Sequence, residues 1–231
     1  MDFDNVGLLV GSEDAEISSV TVALDITPEV IDEAVKNGSE LIISHHPVIF
    51  SPLKRVPRDS AVYRLAENGL SALCLHTNLD ISPEFGVNTC LADAVGLKNA
   101  SFVENECLVL GELDEETDVR TLAKKIKAAL SCEGVRFTLG NKPVKKAAVC
   151  SGSGGDLALL AREKGADVLI TGEIKHHELL DANSADIAVI DAGHFKTEDI
   201  AISPLCRMLE TKFTSIKFFR STACTDRVEY C

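Results

Sequence analysis

Residues 20–47 read VTVALDITPEVIDEAVKNGSELIISHHP, and this stretch predicts the fold of the chain. Residues 20–24 form a short apolar run that is typical of a buried strand, and Thr27 followed by a proline indicates a helix start. Apolar residues at helical spacing come next, and an Asn-Gly pair ends the helix. A second apolar run at 41–43 completes strand, helix, strand, which is the unit of a parallel sheet.

The second half of the chain repeats this order of elements. Apolar runs at 146–150 and 168–170 flank a helix that Gly165 ends, and a third run follows at 187–190, as another does at 71–75 in the first half. We therefore expect an α/β fold of two related, intertwined units, with mostly parallel sheets flanked by helices. The alternative is that the order is only the general rhythm of α/β proteins and not a duplication.

Three segments are expected along the chain. Residues 1–106 are a first α/β unit that carries a His-His pair and a His/Asp pair, and residues 146–231 are a second unit that carries a His/Glu pair. Residues 107–145 lie between them and contain no cluster of metal-ligand type, so they are predicted to be a connecting structural segment.

The charge and the cysteines limit the classes of function. The chain has 36 acidic and 23 basic residues and a net charge of −13, which repels nucleic-acid phosphates and anionic lipids. No apolar run reaches membrane-spanning length. We therefore expect neither nucleic acid nor membrane as a partner. Eight cysteines without CxxC spacing, two of them (Cys74 and Cys150) inside apolar runs, predict reduced thiols in a cytoplasmic protein.

His45 and His46 stand at the end of a predicted strand, directly before a proline that prevents the strand from continuing. At a bent strand end both imidazoles can turn toward one cavity, and histidine is the commonest neutral metal ligand near pH 7. The alternative is a surface His-His pair without a ligand.

Two further pairs have a spacing of four residues. If a helix begins after Gly193, His194 and Glu198 lie on one face of it and can bind one ion together. His76 and Asp80 have the same spacing, with Asp80 expected in a tight turn. The alternative for His194 and Glu198 is an exposed pair on a solvated helix. His76 can be a ligand, a neighbour of ligands or a proton carrier.

Together the clusters offer three or four imidazoles and two carboxylates at strand ends, which fits two ions better than one. Nitrogen and oxygen ligands without thiolate suit Zn, Fe, Mn, Co or Ni. The sequence therefore predicts two divalent metal ions per chain, in a cleft between the N-terminal and C-terminal parts, with these ligands: His45, His46, Asp80, His194 and Glu198.

Two other motifs leave alternatives open. The glycine-rich stretch at 152–155 follows a strand and can hold an anion on its amides, although a plain tight turn is favoured because the lysine of a P-loop is missing. Glu173, His176 and His177 follow the strand at 168–170, and they either line the same cleft or only begin a helix.

The chain resembles the Nif-three-like dinuclear metal-centre family, whose members are often labelled GTP cyclohydrolase 1 type 2 homologues. The resemblance rests on ordered matches that span nearly the whole sequence. They are DNVGLLVG at 4–11, SHHP at 44–47, HTNLD at 76–80, GSGG at 152–155, DVLITGE at 167–173 with His176 and His177, and Gly193-His194 with Glu198.

The resemblance implies how the ligands are shared. His45 and Asp80 hold one metal, His46 and His194 hold the other, and Glu198 bridges the two. It also implies a homohexamer with the sites facing an interior cavity. The family usually has a helix before the DNVGLLVG stretch, which this sequence lacks, and the chain is too short for the middle domain that some members carry.

Two functions are compatible with such a site. The first is a metal-dependent hydrolase acting on a nucleotide such as GTP or a related small molecule, with His76, Glu173 and His176 as the groups that move protons. The second is a non-catalytic protein that handles or senses metal, or serves as a scaffold. Basic residues at 54, 55 and 58 can receive a phosphate and favour the first.

Overall fold

The structure is a computed structural model that describes residues 4–231, and their strands form two separate sheets. In chain order the strands are β1 Gly7–Val10, β2 Ser19–Ala23, β3 Leu41–Ser44, β4 Ser71–Cys74, β5 Lys98–Phe102, β6 Val109–Thr117, β7 Arg136–Phe137, β8 Val144–Cys150, β9 Val168–Thr171, β10 Ala188–Asp191 and β11 Lys217–Arg220. The helices are α1 Pro28–Asn37, α2 Ala61–Glu67, α3 Thr77–Asp80, α4 Val87–Val95, α5 Val119–Ala129, α6 Ala158–Glu163, α7 His176–Ser184, α8 His194–Asp199 and α9 Ile202–Lys212, with a turn of 3-10 helix at Gly155–Leu157.

The first unit comprises the described residues up to 79 together with 202–225. Its sheet has the order β1-β4-β3-β2-β11, in which β1 is antiparallel and the other four strands are parallel. The strand β2 is buried along its whole length. Thr27 caps α1 by accepting a hydrogen bond from the Val30 amide (3.3 Å), and Gly38 ends the helix at φ 67°.

The second unit comprises residues 80–201 and 226–231. Its sheet has the order β5-β6-β8-β9-β10-β7, with β8, β9 and β10 parallel and the other pairings antiparallel. The sheet is covered on both faces, because successive residues of a strand alternate between two cores. Val168 and Ile170 pack on the side of α4 and α5, whereas Leu169 packs on the side of α6 and α7.

The α/β class with two sheets and flanking helices is confirmed. Both units contain three neighbouring parallel strands joined by helices, β2-β3-β4 in the first and β8-β9-β10 in the second. The limits of the units differ from the three segments expected from the sequence. Residues of the expected connecting segment form β6 and α5 in the second unit, and α9 and β11 belong to the first unit because β11 pairs with β2.

Among residues 4–231, no helix combines the length and the apolar content that a membrane span needs. The longest helices, α5 and α9, have 11 residues each, whereas about 20 residues are required to cross the hydrocarbon layer.

Candidate metal centre

Three histidines gather at one edge of the first sheet. His45 and His46 follow β3 and His76 follows β4, and these strands are parallel neighbours whose carboxyl ends meet at the same edge. The ring of His45 lies 5.0 Å from that of His46 and 5.1 Å from that of His76, measured between centroids. One ring nitrogen of each histidine lies within 4.8 Å of the others, so the three can surround one cation.

Each of these rings has an oxygen atom at Nδ1. A carbonyl or carboxylate oxygen can only accept, so Nδ1 carries the proton and the neutral ring has its lone pair on Nε2. This is the state in which histidine binds a metal, with the other nitrogen held by a carbonyl or a carboxylate. The contacts at Nδ1 are His45 to Leu75 O (2.9 Å), His46 to Asp25 Oδ1 (2.7 Å) and His76 to Asp4 Oδ1 (2.7 Å).

Asp4 is held as an anion beside His76. Burial raises the pKa of the Asp4 carboxyl, but hydrogen bonds from the Thr77 side chain, from His76 and from the Thr77 amide outweigh it and lower the pKa to about 2. The Thr77 hydroxyl donates to Oδ2 at 2.5 Å and the Thr77 amide at 3.1 Å. The start of the DNVGLLVG stretch therefore orients the His76 ring.

The second unit supplies a histidine and a carboxylate from one helix. The expected helix after Gly193 is present: His194 is the first residue of α8, and Glu198 lies one turn later. His194 Nε2 is 3.2 Å from Glu198 Oε2, and Glu198 is 4% exposed. Two atoms bound at about 2.1 Å to one tetrahedral ion are roughly 3.4 Å apart. The pair thus has the separation of two ligands of one ion.

Glu173 contacts the other nitrogen of the same ring. Its Oε2 lies 3.2 Å from His194 Nδ1, which places a carboxylate behind the imidazole, as Asp25 does for His46. His176 and His177 are exposed and begin α7. Catalytic roles for Glu173 and His176 remain predictions.

The glycine-rich turn after β8 leaves space for the carboxylate of Glu198 on α8. Two of its amides are bonded to threonines: Gly152 donates to Thr197 Oγ1 (3.1 Å) and Gly154 to Thr171 Oγ1 (3.1 Å), which agrees with a tight turn. Gly152 has φ 57°, and a Cβ there would overlap Glu198 Oε1 and lie 3.2 Å from His194 Nε2.

This role of Gly152 was not predicted from the sequence. The turn is recognisable as glycine-rich, but which side chain fills the space above each glycine depends on β8 and α8 meeting in the fold. Gly172, after β9, is similar, since a Cβ there would lie 2.7 Å from the Cα of His194.

Asp80 is the last residue of α3, a short helix where a tight turn was expected. Within the second unit, Asp80 and Glu198 act on the same thiol. Burial raises the pKa of Cys150 well above its ordinary value, and the charges of Cys107, Asp80, Asp156 and Glu198 raise it further. The position of Asp80 relative to the three histidines stays a prediction.

The donor atoms fit a divalent transition metal. The three histidines of the first unit offer imidazole nitrogen, and the His194–Glu198 pair offers imidazole nitrogen and a carboxylate. Four of the cysteine thiols are buried, and burial raises their pKa values. Those thiols stay protonated and are poor ligands. Zinc, iron, manganese, cobalt and nickel accept such a nitrogen and oxygen set.

By its fold and site, the chain is an α/β protein of two sheets that has potential metal-binding groups of histidine and glutamate at strand ends. Residues 1–226 match Duf34/NIF3 (NGG1p interacting factor 3), and the chain belongs to this family.

Relatives with assigned names support the same family. A GTP cyclohydrolase 1 type 2 homolog of Clostridium acetobutylicum is 33% identical, over 90% of this chain and 82% of the relative. One from Clostridium perfringens is 32% identical, over 99% of this chain and 92% of the relative. The crystal structure of a hypothetical protein from Staphylococcus aureus matches with a TM-score of 0.93 and 32% identity, covering 100% of this chain and 93% of that one.

Proposed function

We propose that this chain binds two divalent metal ions and uses them to hydrolyse a nucleotide or a related small molecule. One observation carries the proposal. Four histidines have Nδ1 on an oxygen atom, and in the His194–Glu198 pair the other ring nitrogen, Nε2, lies 3.2 Å from a carboxylate oxygen. This arrangement selects the metal-binding state of the ring before any ion arrives.

The ligands would be divided as the family resemblance implies. His45 and Asp80 would hold one ion, His46 and His194 the other, and Glu198 would contribute an oxygen to each. Neither unit alone offers this whole set, so the proposed centre draws ligands from both. When bound, two such ions supply Lewis acidity and lower the pKa of water for attack on an electrophilic carbon or phosphorus.

The remaining polar residues would move protons and orient ligands. His76, held by Asp4, would exchange a proton near His45 and His46, and its ring lies 5.1 Å and 5.8 Å from theirs. Glu173 holds the His194 ring and can accept a proton from it. His176, exposed at the start of α7, would act only on a bound substrate.

A nucleotide is the first substrate class to test. The curated relatives are named GTP cyclohydrolase 1 type 2 homologs. In the first unit, residues 51–59 are exposed and follow the histidine pair, and they include the cations Lys54, Arg55 and Arg58. Positive charge in a chain of net charge −13 favours an anionic ligand at this loop. As part of the same proposal, the protein would work as a homohexamer in the cytoplasm.

A metal-handling protein without catalysis is the second candidate. The same ligand set supports it, since storage or sensing requires tight binding but no substrate. The exposed Lys54 and Arg55 favour hydrolysis, because they offer positive charge to an anionic substrate, whereas Arg58 pairs with Glu67 (3.7 Å).

Turnover by metal-reconstituted protein tests the proposal. Chelator-treated protein is loaded with Zn²⁺, Mn²⁺ or Fe²⁺ and incubated with a panel of nucleotides and phosphoesters, with product formation followed by chromatography. His46→Ala serves as the ligand control and Glu16→Gln as a surface control. Metal binding without turnover of any compound would leave the metal-handling function, and absence of metal uptake would refute both.

A further inference from the structure

Asn88 is a polar side chain without solvent exposure, on the first turn of α4. Both ends of its amide are in use. Nδ2 donates to the carbonyl oxygens of Asp80 (3.3 Å) and Cys107 (3.1 Å), and Oδ1 accepts from the backbone amide of Ser151 (2.7 Å). One side chain thus joins the end of α3, the segment before β6 and the turn after β8.

The contacts continue from this turn to α8. Ser151 is followed by Gly152, whose amide donates to Thr197 Oγ1 at 3.1 Å, and Gly152 leaves the space in which the Glu198 carboxylate lies. Thr197 is buried and is fixed on α8 by its hydrogen bond to the Gly193 carbonyl (3.1 Å). Asn88 is therefore one peptide away from the residue against which Glu198 packs.

We propose that Asn88 is a positioning residue of the metal centre, which holds the main chain at Asp80 and the Ser151–Gly152 turn in one frame so that two carboxylate ligands are presented together. This rests on the proposed function, since it takes Asp80 and Glu198 as ligands. Ligands must be held to about 0.5 Å for tight binding, and residues behind them provide this accuracy.

Two further observations agree with such a frame. The charges of Asp80 and Glu198 both act on the Cys150 thiol, so these carboxylates share one neighbourhood of the second unit. Helix α4 also packs against α8 and β8, the elements that carry Glu198 and lead into the turn. A leucine at 88 would satisfy the packing on α4, but it would leave two carbonyls and one amide without their present bonds.

Asn88→Asp tests the inference, because it preserves the shape of the side chain and keeps an acceptor for Ser151. It replaces the donor that faces two carbonyl oxygens by a carboxylate oxygen. We expect the zinc affinity, measured by competition with a chromophoric chelator, to fall by at least about tenfold. The change is expected to act only near the lost contacts to the Asp80 and Cys107 carbonyls, so hydrogen exchange in β2 and β3 should stay unchanged.

Two control variants separate positioning from general destabilisation. Asn183→Asp makes the same chemical change on an exposed residue of α7 in the same unit. Leu122→Ala opens a cavity in the core of that unit without touching the site. Both are expected to retain the zinc affinity of the wild type. If Asn88→Asp does not fold, Asn88→Ser keeps a small acceptor, and the same fall in affinity is expected.

The possible outcomes can be told apart. If the wild type binds zinc and Asn88→Asp binds it equally well, or loses no more affinity than Leu122→Ala, the positioning role is overturned and the proposed function stands. If the wild type takes up no metal, the proposed function fails and the positioning role fails with it.

Discussion

At the scale of single residues, the oxygen atom at Nδ1 of each imidazole is the strongest indication of a metal site. Histidine pairs on a protein surface are common, but here Asp25 Oδ1 lies 2.7 Å from His46 Nδ1 and the Leu75 carbonyl lies 2.9 Å from His45 Nδ1. Such contacts fix the tautomer and the direction of the lone pair. A surface ion pair would account for one such contact, but not for the same Nδ1 contact in two adjacent histidines.

Gly152→Ala is expected to weaken metal binding with little loss of fold. An alanine Cβ would overlap Glu198 Oε1, so the carboxylate must move from its place beside His194. The positive φ of 57° adds strain of about 1 kcal/mol, typical of a non-glycine residue in the left-handed region. We expect a fall in zinc affinity of at least about tenfold, measured by chelator competition.

Gly165→Ala is the matched control for this prediction. Gly165 lies in the same unit with φ 90°, and a Cβ added there would meet no atom of residues 4–231 within 4 Å beyond its own chain neighbours. Alanine at 165 therefore brings backbone strain without a clash, and its zinc affinity should equal that of the wild type. Equal losses in both variants would mean that strain, and not the Glu198 contact, explains the effect of Gly152→Ala.

Which site residues could be predicted depends on how local their signals are. The spacing of His194 and Glu198 and the glycine before them predict a helix with both on one face, and α8 begins at His194. The bond from Asn88 to Ser151 crosses 63 positions of the chain and has no local pattern. No prediction from the sequence included Asn88, and the fold alone reveals what it contacts.

At the scale of elements, residues that begin and end helices made the central strands and helices predictable. Helix α1 begins after Thr27 with a proline and ends at Gly38, as the sequence predicts. The apolar runs on either side of it are β2 and β3. Edge elements were missed. Strand β11 is four residues long with both end residues exposed, and only its pairing with β2 makes it a strand.

Glu33 joins α1 to the segment that follows β11, and its loss is expected to destabilise the first unit. Its carboxylate accepts hydrogen bonds from the Ser221 and Thr222 hydroxyls and from the amides of Thr222 (3.1 Å) and Ala223 (3.4 Å). Burial raises the pKa of Glu33, but these bonds lower it below its ordinary value near 4.5. Glu33→Gln should reduce the free energy of unfolding at pH 7 by about 1–3 kcal/mol.

The pH dependence gives this prediction a sign. Because the pKa of Glu33 is depressed in the folded state, its stabilisation is fully present above the unfolded pKa and is lost as the pH falls through the folded pKa. The difference between wild type and Glu33→Gln in urea unfolding should therefore shrink between about pH 5 and more acidic conditions. Glu16→Gln, at an exposed acid of the same unit, should show no difference at either pH. A gap that widens on acidification would contradict the assignment.

At the scale of the whole molecule, two units of similar internal order each carry residues of metal-ligand type. The first has three histidines with no carboxylate among the grouped ligand atoms of its described residues, and the second has the His194–Glu198 pair. A pair of divalent ions at short separation repel each other, and an anionic ligand that contacts both reduces this repulsion. Glu198, which is buried, is the residue proposed for that position.

Glu198→Ala is therefore expected to lose more metal than either His45→Ala or His46→Ala. Each histidine would serve one ion, so its removal should leave close to one ion per chain, whereas removal of the shared carboxylate should empty both positions. The sheets are built from apolar cores, so all three variants should keep the far-ultraviolet circular dichroism of the wild type. Elemental analysis of protein prepared without chelator gives the metal per chain. Should Glu198→Ala retain as much metal as the histidine variants, Glu198 does not bridge and the two sets of ligands do not act as one dinuclear centre.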